Sequence, residues 1–188
     1  MDYASDPNGR SKLLFDIRRS MRYHDRRRTF FERMHQVTGV LTILLAGSVL
    51  FDLAGTGGPA LWLKLIGVVA AVFAAADIIV GYASMANKHA LLRRRFSDLE
   101  VATSNTAKPI DECVNERKRI ENDEGTVYRA LDLLCYNETL VAGGFSRSDP
   151  NDKELFADLE WYESLTANLW PWPDIANNES ARRHKANG

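Results

Sequence analysis

Residues 37–53, VTGVLTILLAGSVLFDL, and residues 60–85, ALWLKLIGVVAAVFAAADIIVGYASM, are the stretches that decide the fold. The first carries a single charge, Asp52, close to its end, and is just long enough to span a bilayer as a helix. The second carries Lys64 and Asp77 and is long enough to span with tilt. Between them lies AGTGGP, residues 54–59, in which Gly55, Gly57 and Gly58 tolerate positive φ and Pro59 suits the start of a helix. So short a link forces the two helices antiparallel, and the reading is a two-transmembrane helical hairpin.

Charge on either side of the hairpin gives its orientation. Arg18, Arg19, Arg22, Arg26, Arg27, Arg28 and Arg33 precede the first segment, and Lys88, Arg93, Arg94 and Arg95 follow the second, whereas the link has neither Lys nor Arg. Basic groups stay on the cytoplasmic side, so both termini are expected in the cytoplasm and the AGTGGP turn outside. The formal net charge of −1 hides this asymmetry, because residues 98–180 hold seven Lys/Arg against eighteen Asp/Glu. The first twenty residues lack a long apolar core, so insertion is expected through the internal segments and not through a cleaved leader.

Each span is expected to extend into the cytoplasm. The run RRSMRYHDRRRTFFERMHQ has no Gly or Pro, and Ser11 before Leu14, Ile17 and Met21 reads as the cap of an amphipathic helix. The second span is expected to continue unbroken through NKHALLRRRFSDLEVA. Pro109 then opens a helix with the apolar stripe Ile110, Cys113, Ile120, Val127, Leu131 and Leu134, with Gly125 as a kink and Gly143 and Gly144 as its end. A last helix, from Asn151 with Glu154 in a capping box, is expected to run to about Leu169. The organisation expected is a basic helix over 1–36, the hairpin over 37–85, an acidic helical cytoplasmic domain over 86–169 and a tail over 170–188. The fold class is an all-α membrane protein, oligomeric because two spans cannot enclose a water path alone, with cyclic symmetry as the default.

The ionisable groups in the spans are costly at membrane depth and call for partners. Reflecting the hairpin about its turn sets Asp77 near the cytoplasmic boundary, beside Arg33, His35 or Thr38, and Lys64 near the level of Val49, from which it snorkels toward Asp52. Thr38, Thr42, Leu45, Val49 and Asp52 recur at helical spacing and form one stripe. In an oligomer this stripe is expected to line a pore, with Leu45 and Val49 as an apolar constriction and Asp52 as an outer acidic ring. The same helix also offers Gly39, Ala46, Gly47 and Ser48, the small residues of helix packing in lipid.

Arginine donors suit phosphate, so Arg18, Arg19, Arg22, Tyr23, Arg26 and Arg27 on the favoured basic helix, or Arg93, Arg94 and Arg95, or the run Arg117 to Arg119, are candidate contacts for a nucleotide or a short single-stranded oligonucleotide. Beside a span the same arginines also serve as topology signals and lipid head-group contacts. His24, His35, His89 and His184 lack paired-ligand spacing, and there is no Gly-rich phosphate loop or nucleophile elbow, so no enzyme activity, metal or cofactor is expected. Cys113 and Cys135 lack metal-ligand spacing and read as buried, reduced thiols.

The order of an Arg-rich RRSMRYHDRRRTFFERM helix, a two-span hairpin, NKHALLRRRFSDLE and an acidic segment ending YRALDLLCYNETLVAGG resembles the SLATT domain family over roughly residues 11–145. That resemblance implies a two-transmembrane, pore-forming effector of bacterial conflict and anti-phage systems, in the inner membrane. It also implies a partner, a nucleotidyltransferase or nucleotide sensor encoded nearby, that restrains or releases it. A holin-like lysis protein and a passive membrane-anchored scaffold are the alternatives. The long chain after the second span favours regulation over simple hole formation.

Overall fold

The computed structural model describes residues 9–53 and 61–172, and for residues 48–53 and 61–64 it describes the helical backbone without side chains. The expected turn at 54–59 and the chain beyond 172 lie outside the described residues, as do the side chains of Val49, Asp52 and Lys64. Every α or 3-10 element among the described residues is helical: α1 (Arg10–Leu53), α2 (Leu61–Val80), α3 (Tyr82–Ser104), α4 (Ile110–Asn122), α5 (Arg129–Ala142), a 3-10 turn (Lys153–Leu155) and α6 (Trp161–Leu165).

The chain divides into two compact units. One comprises residues up to Arg26 together with those from Ala90 onward, and the other is Arg27–His89. The boundary at Arg27 falls within the basic segment, so Arg18, Arg19, Arg22 and Arg26 belong to the first unit and Arg27, Arg28 and Arg33 to the second.

The first unit is a helical bundle. Leu13 and Ile17 of α1 pack with Leu92, Phe96 and Leu99 of α3 and with Cys113 and Ile120 of α4. Tyr23 of α1 joins Ala130, Leu131, Leu133 and Cys135 of α5, along with Ala157 and Ala167. Both cysteines are free and buried. Polar ties close the ends of this core. The Arg10 guanidinium donates to the carbonyls of Thr103, Asn105 and Lys108, satisfying groups that the end of α3 leaves without helical partners. Arg117 on α4 pairs with Asp16 on α1 at 2.7 Å, and burial that would lower its pKa is outweighed by Asp16 and Glu121, so its charge is held more firmly than usual. α4 starts after Pro109 with Asp111 and Glu112 in its first turn and Arg119 in its last, complementing the helix dipole at both ends.

Four expectations need correction here. α1 begins at Arg10, after Gly9 at φ 67°, so Ser11 is inside the helix and not its cap. The continuous helix expected from Pro109 to Gly143 is two helices, because residues 124–128, EGTVY, have no helical assignment; Gly125 breaks the helix instead of bending it, and Val127 is exposed. The last long helix is absent: after the 3-10 turn the chain runs without regular structure to Glu160, which forms the capping box with Glu163 and starts the five-residue α6. Asn151 does not start that helix. Its side chain instead donates to Asp149, as does its backbone N–H. The continuous second span also has an interruption, at Gly81, where φ is 63° between α2 and α3. Gly81 still donates to the Asp77 carbonyl and accepts from Met85, each at 2.9 Å, so helical bonding carries across the irregularity.

Candidate functional site

The helical segment Leu65–Ser104 is long and apolar enough to cross a membrane: its most apolar 18-residue window has a mean hydropathy of 2.2, and 6% of that window is buried. In the second unit, Ile78 and Ile79 of α2 and Leu44 of α1 all lie largely exposed. Burying such a side chain is worth about 1.5–3 kcal/mol, so a contiguous apolar surface of this kind is costly in water and costs nothing against hydrocarbon.

The covered face of α1 in this unit carries Phe31, Thr38, Thr42 and Leu45. Thr38 is 3% exposed, and Thr42 and Leu45 are half-buried, whereas Ile43 is 73% exposed. The Thr38 hydroxyl donates back to the carbonyls of Met34 and His35 at 2.9 and 3.0 Å, which satisfies it within its own helix. The described part of the stripe expected to line a pore therefore faces inward within a single chain. The face that is open is the opposite one, Gln36, Val40, Ile43 and Gly47, again at four-three-four spacing.

Asp77, on α2, meets His35 on α1: the His35 Nδ1 lies 3.1 Å from both carboxylate oxygens. This is one of the three partners considered from depth alone. The same unit holds aromatic contacts, with Phe31 stacked on His89 at 5.7 Å and the buried Arg27 guanidinium 4.6 Å from the Phe31 ring. Arg27 is thus occupied by a ring and is not offered to a ligand.

Most of the arginines expected to bind phosphate are tied to carboxylates of their own bundle. Arg18 donates to Glu100 at 2.6 Å, Arg19 pairs with Asp132 at 2.8 Å, Arg93 pairs with Asp25 at 2.9 Å, and Arg26 and Arg95 pair with Glu138 and Asp123. The Tyr23 hydroxyl is buried and accepts the Tyr128 N–H at 3.0 Å. Arg18 and Arg93 thereby tie α1 to α3, and Arg19, Arg26 and Arg95 tie these helices to carboxylates at Asp132, Glu138 and Asp123. Arg94 is exposed, and Arg22 lines a cavity. The sequence shows the acidic excess that supplies these partners but not which carboxylate meets which arginine, since the pairs lie 82 to 112 positions apart for Arg18 and Arg26.

Among the described residues no group of three or more His, Cys, Asp or Glu is arranged to hold a metal ion. Cys135 is fully buried, and burial pushes its thiol up to about 12, so it is a poor nucleophile. His24 is buried with its Nε2 3.0 Å from Glu124 and its ring stacked on Phe96, and Asn137 is used by the backbone of Ala157 on both sides of its amide. No nucleophile and base are brought together by these contacts. Searches of protein-family models, of curated proteins and of solved structures find no match to the chain.

Proposed function

We propose that the chain is a membrane effector that conducts ions as an oligomer, in the manner of the SLATT-like proteins that its order of segments resembles. Residues 37–53 and 60–85 form the two spans, with both termini in the cytoplasm of a bacterial cell and the helical bundle acting as the regulatory part. The observation that carries this reading is the exposed apolar surface of the second unit, with its ionisable pair, His35 and Asp77, satisfied internally. Hydrocarbon solvates such a surface at no cost, and ionisable residues within spans often mark ion or substrate pathways.

The lining is assigned to the open face of α1, Gln36, Val40, Ile43 and Gly47, because the Thr38, Thr42 and Leu45 face is covered within one protomer. Val40 and Ile43 then form an apolar constriction that gates by dewetting, and Gln36 sits at its cytoplasmic end. Release by a partner protein or a nucleotide-type signal, in anti-phage defence, belongs to the same reading.

The test is membrane potential in cells that express the chain, beside an Ile43→Asp variant and a chain lacking residues 37–85. Depolarisation that needs the spans and changes with Ile43→Asp is the expected result. Silence of the chain in cells and in liposomes would leave a membrane-anchored scaffold as the better account.

A further inference from the structure

Arg22 stands out from the basic run of α1. Arg18, Arg19 and Arg26 each meet a carboxylate, whereas Arg22 has no hydrogen-bonding or ionic partner among the described residues. It is half-buried and lines an open cavity of about 700 Å³ in the helical bundle, between α1, α5 and residues 147–164, and it also borders a smaller one whose carboxylates, Asp25 and Glu100, are paired with Arg93 and Arg18. That volume is within the usual range for small-molecule sites.

The walls of this cavity are two-sided in chemistry. Leu134 and Val141 of α5, with Phe156 and Leu159 of the following segment, supply an apolar surface, and Arg147 provides a second cation. The other charged group in the lining, Glu138, is already engaged by Arg26. Arg147 is anchored where it stands: it donates to the Ala157 carbonyl at 2.7 Å, lies 5.5 Å from the Phe156 ring centre and is 3.8 Å from Asp158. A half-buried guanidinium without an internal anion, next to an apolar wall, is complementary to an anion that carries an apolar body.

The lining also decides what kind of body. Among the described residues of the lining Phe156 is the one aromatic ring, and Arg147 already covers a face of it, so these residues offer no free pair of rings to hold a nucleobase. We infer that this cavity binds a small aliphatic amphiphile with a single phosphate or carboxylate head, the head at Arg22 and the chain along Leu134, Val141 and Leu159. This site is independent of whether the spans conduct.

The experiment uses the full chain in neutral phosphatidylcholine nanodiscs, with binding measured by calorimetry after subtraction of uptake by empty discs. Hexyl phosphate and hexanoate are the probes, and inorganic phosphate, hexanol and adenosine monophosphate are the comparisons. Saturable binding of hexyl phosphate or hexanoate is expected, at least about tenfold tighter than any comparison compound, with Arg22→Gln weakening it about tenfold or more and Arg22→Lys retaining most of it. Val141→Glu, at an exposed position of the wall, is expected to weaken it by a similar factor without loss of helical content by circular dichroism. Tighter binding of adenosine monophosphate would overturn the aliphatic assignment. Binding of neither probe, or binding that Arg22→Gln and Val141→Glu leave unchanged, would overturn the site itself. Loss in both Arg22→Gln and Arg22→Lys with intact helicity would also count against it, because a charge requirement predicts that Lys substitutes.

Discussion

His35 Nδ1 lies 3.1 Å from each carboxylate oxygen of Asp77, a contact between α1 and α2 across 42 positions of chain. Polar pairs between helices in lipid contribute modestly because the separated helices find other partners, so in the membrane arrangement proposed above removing this one is expected to cost about 0.5–1 kcal/mol. A double-mutant cycle with His35→Ala and Asp77→Ala, read by denaturation in micelles, should show a coupling of that size. Additive effects of the two substitutions would mean that each residue is satisfied elsewhere in lipid.

Gly81 holds φ at 63° between α2 and α3, and a Cβ there would meet nothing closer than the Ser84 Cβ at 3.8 Å. Space is available, so the cost of Gly81→Ala is that of a left-handed backbone for an L-residue, about 1 kcal/mol or more. The melting temperature should fall in Gly81→Ala, and Gly81→Asn, which tolerates this conformation better, should recover part of the loss. An unchanged or raised melting temperature in Gly81→Ala would mean that a regular helix replaces the irregularity without penalty.

The two faces of α1 can be told apart chemically. In the assembly proposed above, cysteine replacing Ile43, 73% exposed, or Val40 should react with a charged thiol reagent from water and block conduction. Cysteine replacing Thr38, 3% exposed, should react slowly and leave conductance unchanged. The reverse pattern would restore the Thr38, Thr42 and Leu45 stripe as the water-facing one.

These predictions rest on features that were unequally readable in the sequence. The helical state of residues 37–53 and 61–80 follows from length and composition alone, and the partner of Asp77 was narrowed to three residues by depth. Which side of α1 is covered was not readable, because Thr38, Thr42 and Leu45 at helical spacing suit a water path and a packed face equally; the packing of unit Arg27–His89 decides it. Gly125 read as a kink because the apolar period continues past it, yet the chain there crosses the bundle so that Tyr128 can reach the Tyr23 hydroxyl, a tertiary contact with no local signature. The basic run of α1 looked like a binding surface for the same reason: the carboxylates that meet Arg18, Arg19 and Arg26 come from distant helices, and among these neighbours Arg22 meets none.

Cys113 and Cys135 are fully buried in the bundle, and the Cys135 thiol is pushed up to about 12, chiefly by burial. Alkylation of both by iodoacetamide at neutral pH should track global unfolding, with protection in the folded chain and rapid reaction in denaturant. Fast modification of the folded chain at either cysteine would show local opening of α4 or α5 well below the global unfolding energy.

Asp132 on α5 has Arg19 at 2.8 Å and Arg129 at 3.2 Å, yet its carboxyl is raised above the ordinary aspartate range, since the loss of hydration on burial outweighs both guanidiniums. The folded chain therefore holds the Asp132 proton more tightly than the unfolded chain does. Between the ordinary aspartate pKa and the raised folded one, folding takes up a proton, so this contribution to stability is full below the window and is lost as pH rises through the folded value. Denaturation of wild type and of Asp132→Asn across that range isolates the effect, because the other carboxylates cancel in the difference. Wild type should lose stability relative to Asp132→Asn as pH rises, and the difference should become flat above the folded pKa. A relative gain with rising pH would mean that Arg19 and Arg129 prevail over burial, making Asp132 a stabilising anion of the bundle and Arg19 its required counter-charge.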